Sequence, residues 1–180
     1  GIYGITPVSE RVYVYGSLSA MFTASTGQEL FTDNTRTYFG IEDAFAGIVT
    51  GNTSESGNRW IFIASAGRQR FTLAEGFLIA NTAGNGGERA ALQANARWAS
   101  DFLALMQFKY NETKIELFQI DPDELPILDT HTKINGINIE DSSLPSLSLA
   151  ASYLTVPTSD AGYFLPDGSR LSREGLRVTD

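Results

Sequence analysis

The chain has 180 residues, 42% of them hydrophobic and 19% charged, with no cysteine and a formal net charge of −8. This composition excludes a disordered tail, a disulfide scaffold and a thiolate metal site, and the acidic balance argues against a polyanionic partner such as nucleic acid. It fits one β-rich domain over 1–180, large enough to bury a core without a metal or disulfide staple.

The polar residues are mostly neutral. Serine, threonine and asparagine together outnumber the charged residues, and the ten arginines are joined by just three lysines, Lys109, Lys114 and Lys133. Lysine guards exposed strand edges and is depleted where protein meets protein. Its scarcity fits a chain whose surface is covered by neighbours, and equally the compositional drift of a secreted or viral protein.

Residues 1–7 read as an extended N-terminal arm. They lack the basic and apolar regions of a signal peptide, and no stretch of the chain approaches eighteen apolar residues, so the expectation is no membrane insertion. Arg11 to Tyr15 alternates valine with tyrosine and suits a strand. Further strands are expected at Thr37 to Ile41, Ala44 to Thr50, Arg59 to Ser65 and Gly76 to Ala80. The segment Gly51 to Asn58 has no apolar side chain and reads as a solvent-facing hairpin loop.

From about 88 to 107, Leu92, Ala96, Ala99, Phe102, Leu103 and Met106 recur at steps of three, four and seven in an alanine-rich run. This spacing predicts a central α-helix. Strands resume at Lys114 to Ile120, at Lys133 to Ile139, where Asn135-Gly136 signals a hairpin, and at Ser148 to Val156. Leu165 to Gly168 reads as a turn and Gly175 to Val178 as a short closing strand, with a C-terminal tail over 173–180. The expected fold is mainly β: a β-sandwich or distorted barrel of about ten short strands with one helix packed on it.

Few residue sets can carry chemistry. The single histidine, His131, excludes imidazole-rich zinc sites, and no Gly-x-Ser-x-Gly elbow accompanies it, so it reads as an exposed loop residue. The Gly-rich turn from Asn81 to Glu88 has the wrong spacing for a dinucleotide or phosphate loop. No catalytic and no cofactor-binding set emerges.

The acidic run Asp121, Asp123, Glu124 and Asp129, stiffened by Pro122 and Pro126, offers hard oxygen ligands but lacks the glycine and distal glutamate of an EF-hand. It reads first as a solvated acidic turn and second as a calcium site, completed by Glu140, by Asp141 or by a neighbouring subunit. Arg68 and Arg70, beside Arg59 and Trp60, form the one basic cluster and suit ion pairs with the acidic segment. The net charge is itself local. Residues 115–167 hold nine acids and one base, and the rest of the chain is balanced.

These readings lead to a non-enzymatic structural subunit that assembles with copies of itself into a virion component, tail-like tube or extracellular filament. Gly1, Ile2 and Tyr3 of the arm, with Arg68 and Arg70, are the expected partner-binding residues, and the setting is extracellular or virion, with the cytoplasm left open. Two alternatives stand beside it: a calcium-assisted carbohydrate-binding module, and a hydrolase acting through paired carboxylates.

Overall fold

The computed structural model describes residues 1–24, 36–84 and 97–161. It is mainly β. Eight strands, β1 (Ile2–Pro7), β2 (Val12–Ala24), β3 (Thr37–Thr53), β4 (Arg59–Arg68), β5 (Phe102–Tyr110), β6 (Thr113–Asp121), β7 (Lys133–Leu144) and β8 (Leu147–Thr158), lie in one sheet in chain order. Every neighbouring pair is antiparallel. Among the described residues β1 and β8 each have one neighbour, so neither a second packed sheet nor closure into a barrel is seen. One turn of 3-10 helix, Pro126–Leu128, interrupts the connection from β6 to β7.

The connections differ sharply at the two ends of the sheet. At one end tight turns at 8–11, 54–58, 111–112 and 145–146 join the strands, and at the other the chain crosses through 25–36, 69–101 and 122–132. The 54–58 turn is the hairpin loop expected from its polar composition. Ser54 Oγ accepts the backbone N–H of Asn58, closing the turn on itself.

Several expected elements are corrected. No α-helix forms in the described part of 88–107: Arg97 to Asp101 is a connection, and Phe102–Tyr110 is strand β5, paired with β4 and β6 on its two sides. Residues 88–96 lie outside the described residues, as do 165–168 and the closing strand at 175–178. Gly76 to Ala80 is a turn closed by Gly76 N–H to the carbonyl of Leu73 and by Leu73 N–H to that of Ile79. The two strands expected over 37–50 are one. A bulge between the Leu18–Ala44 and Ala20–Ile41 pairs sets Glu42 and Asp43 against Ser19 and breaks the alternation that a sequence reading needs.

The arm is a true strand, since β1 pairs along its whole length with β2. Asn135-Gly136 makes no hairpin. It lies mid-strand because Gly136 faces the ring of Phe118, its partner on β6: a Cβ there would sit 2.2 Å from the ring edge. Gly47 opposes Tyr15 in the same way, with its absent Cβ 2.7 Å from that ring. In both pairs an aromatic ring covers a glycine across the strands and pins the register.

Successive side chains of a strand point to opposite faces, so the register defines two surfaces. One face carries the core. Leu103, Phe118 and Ile120 are buried there under Phe71, Leu73 and Ile79 of the long β4–β5 connection. Phe71 and Phe118 stack with centroids 4.7 Å apart. Burying three such side chains on each side is worth on the order of 10 kcal/mol by area, before the entropy of ordering the connection is set against it. Beyond this core, toward the tight turns, the same face becomes polar.

Candidate functional site

Three polar assemblies occupy the core face and the long-connection end. The first is the acidic segment. Asp121, Asp123, Glu124 and Asp129 all line one open hollow of about 440 Å³, together with Asp101, His131 and Lys133. The proline-bounded turn therefore does gather the four carboxylates, and each of them has a partner within the chain.

Asp121 lies 3.7 Å from Lys133 Nζ, and Asp123 takes Arg68 and Arg97. Glu124 accepts the hydroxyl of Thr130 at 2.6 Å and its N–H at 3.0 Å, and Asp129 accepts the N–H of His131 at 2.8 Å. Among the described residues no group of three or more His, Asp or Glu side chains is disposed to hold a metal ion. Glu140 and Asp141 lie along β7, where they bond Asn138 and Thr113 respectively, away from that hollow.

The second assembly is a buried charge cluster that the sequence did not reveal. Arg97 is 2% exposed, and its guanidinium reaches Asp123 Oδ2, the Tyr38 hydroxyl and, at 3.8 Å, Glu42 Oε2. It also lies over the Tyr38 ring, 5.1 Å from the centroid. Glu42 in turn accepts the backbone N–H groups of Trp98 and Ala99 through Oε1. Arg68 closes the cluster through Asp123 and Asp101 and donates from Nε to the carbonyl of Ile41. The expected ion pair between the basic cluster and the acidic segment is thus made by Arg68. Arg70 instead faces Asp43 at 3.9 Å and stays mostly exposed.

The third is a row across the middle of the sheet. Gln107, Glu116, Asn138 and Ser152 are successive cross-strand partners on β5 to β8. Gln107 Nε2 donates to Glu116 Oε1 at 2.6 Å, and Asn138 Nδ2 to Glu116 Oε2 at 2.9 Å. The Ser152 hydroxyl donates to Asn138 Oδ1 at 2.7 Å. Lys114 adds its ammonium between Glu116 at 3.2 Å and Glu140 at 3.1 Å. Glu116 and Asn138 are fully buried, and this network satisfies them, which a buried carboxylate requires. The one sequence signal for the row was the alternation of Gln107, Glu116 and Asn138 with apolar neighbours.

The remaining expected residues are at the edges. Gly1, Ile2 and Tyr3 open the outermost strand, where Ile2 and Tyr3 are 77% and 87% exposed. His131 is an exposed connection residue, as expected, held between Asp129 and Asp160. Asn81 to Gly84 of the Gly-rich turn is held by its own contacts, Gly84 N–H donating to the carbonyl of Asp123, and 85–88 lies outside the described residues.

The arrangement stitches connections to a sheet. No helix among the described residues is long and apolar enough to cross a membrane. Comparison with family models, with curated proteins and with solved structures finds no match for this chain.

Proposed function

We propose that the protein is a non-enzymatic structural subunit that continues its sheet, edge to edge, into copies of itself. The observation that carries this reading is the chemistry of the two outer strands. β1 (IYGITP) and β8 (LSLAASYLTVPT) have no charged residue between them, and each is hydrogen-bonded to one neighbour among the described residues.

Natural sheets guard such edges with lysine, inward charges or bulges, because a row of unpaired N–H and C=O groups recruits another strand. Neither outer strand has a lysine, and all six residues of β1 are exposed. The scarcity of lysine across the chain thus extends to the two places where it would matter most. Under this reading the acidic hollow takes no calcium: its carboxylates already serve the arginines, Lys133 and the Thr130 turn.

Light scattering in buffer and in nonionic detergent tests the proposal. Wild-type protein is expected to have a mass above that of one chain. Gly4→Lys places a charge in the middle of β1 where an added side chain meets nothing within 4 Å, so it leaves the fold intact and shifts the mass toward the single chain. A wild-type protein that stays monomeric in both media, at every concentration tried, overturns the reading.

A further inference from the structure

The face opposite the core carries an apolar row from β2 to β8. One cross-strand row runs through Val14, Ile48, Ala64, Met106, Leu117, Ile137 and Tyr153 in unbroken register. The flanking rows are mixed: Phe62, Phe108, Ile115 and Ile139 stand with Thr50 on one side, and on the other Ala46, Ala66 and Ala104 give way to Gln119, Asn135 and Thr155 on β6 to β8. Met106, Phe108, Leu117, Ile139 and Tyr153 are each 40% exposed or more. No charged side chain enters these three rows. The first charges stand beyond them, Asp141 toward the tight turns and the Asp121–Lys133 pair toward the long connections.

A water-soluble sheet turns apolar groups inward and charge outward. Here the buried centre of the other face is Glu116 with Asn138, and the exposed face is aliphatic and aromatic. We infer that this face is built to lie against lipid hydrocarbon, so that the sheet forms part of the wall of a membrane β-barrel. The inference rests on the edge-to-edge reading, because an unpaired strand edge cannot lie in hydrocarbon.

Four features select lipid over a second protein layer. The charges that bound the band on β6, Asp121 and the Asp141 paired with Thr113, are eight residues or about 26 Å apart at about 3.3 Å per residue, and at the tilt of about 40° usual in barrels they lie about 20 Å apart in height, against an apolar band of about 25 Å. Aromatic residues mark both margins: the Trp60–Tyr110 pair toward the tight turns, and the Phe22–Phe39 pair with Phe102 toward the long connections. Such girdles are typical of the membrane interfaces. On β5 to β8 the opposite face is polar at mid-strand, as a barrel lumen is, and short turns at one end face long connections at the other.

The test is flotation of the full chain, refolded from urea in the presence of phosphatidylcholine vesicles, with strand content followed by circular dichroism. Wild-type protein is expected to float with the vesicles, to resist a high-salt wash and to be rich in strand. Met106→Arg and Leu117→Arg place a charge in the middle of the band and are expected to lower the floated fraction at least about tenfold. Tyr13→Arg, on the core-bearing face where it pairs with Val49, leaves it unchanged.

Wild-type protein that stays folded at the bottom of the gradient overturns the inference, and so does precipitation without vesicle binding. Equal flotation of the arginine variants overturns it too, since the face would then not be the contact. Soluble oligomers without flotation refute the membrane inference and leave edge assembly standing; flotation with the mass of one chain in detergent refutes assembly between copies and leaves a lipid-facing sheet whose two edges meet within one chain.

Discussion

Replacing Arg97 with methionine is expected to destabilise the protein by about 3–5 kcal/mol, the usual cost of removing one partner from a buried charge pair. The substitution keeps most of the side-chain volume, so the loss is electrostatic. Asp123 keeps Arg68, whereas Glu42 loses the one cation that lies within 4 Å of its carboxylate among the described residues and retains two backbone donors. The cost is a large share of the 5–15 kcal/mol that separates a typical folded domain from its unfolded chain. A urea titration followed by tryptophan fluorescence gives the value. Arg97→Met with Glu42→Gln removes the stranded charge and should recover part of the loss. A single variant within 0.5 kcal/mol of wild type, the range of about ±0.5 kcal/mol typical of inert surface changes, would show that the cluster does not tie the β4–β5 connection to the sheet.

Phe118→Ala is expected to cost a similar amount, about 3–5 kcal/mol, through lost burial and the cavity left beneath Phe71. Gly136 makes the prediction sharper. In the wild-type background Gly136→Ala drives a methyl into the Phe118 ring and should cost about 1–3 kcal/mol, the usual penalty of overpacking. In the Phe118→Ala background the same methyl meets only the end of the flexible Leu154 side chain, 2.7 Å away, which can turn into the vacated space, and should be neutral or stabilising. The sign change across this double-mutant cycle reports the ring-on-glycine contact itself. Equal effects in the two backgrounds would mean that Gly136 is there for its backbone alone.

The same pair shows why parts of the fold were hidden in the sequence. Asn-Gly between alternating isoleucines is a strong local hairpin signal, but what decides here is a ring on the neighbouring strand, a contact that no local reading contains. The segment from Phe102 to Met106 is similar. Its residues satisfy a period of 3.6 over one or two turns and a period of 2 equally well, and the alanines favour a helix. Pairing on both sides with β4 and β6 overrides that propensity, as tertiary context commonly does.

Other elements were legible. β4, β6 and β8 lie close to where β-branched and aromatic runs placed them, and Arg68 meets the acidic segment as charge alone suggested. The acidic segment itself was read as a set of ligands because its cations come from far along the chain: Arg97 is 26 residues from Asp123 and Arg68 is 55. The expectation of no membrane insertion rested on a run of eighteen apolar residues, a criterion that concerns helices. A strand that faces lipid needs an apolar residue at every second position only, and that weak pattern becomes visible when register aligns it across seven strands, β2 to β8.

The central claim is that the alternation along each strand sorts side chains onto two unlike faces, the apolar one outward. Because the chain has no cysteine, a nitroxide can be attached at one introduced cysteine after another along Phe102–Tyr110 in protein bound to phosphatidylcholine vesicles. Oxygen accessibility is expected to alternate with a period of two, high at Ala104, Met106 and Phe108 and low at Leu103, Leu105 and Gln107. A period of three to four residues, or uniform accessibility along the segment, would contradict the account.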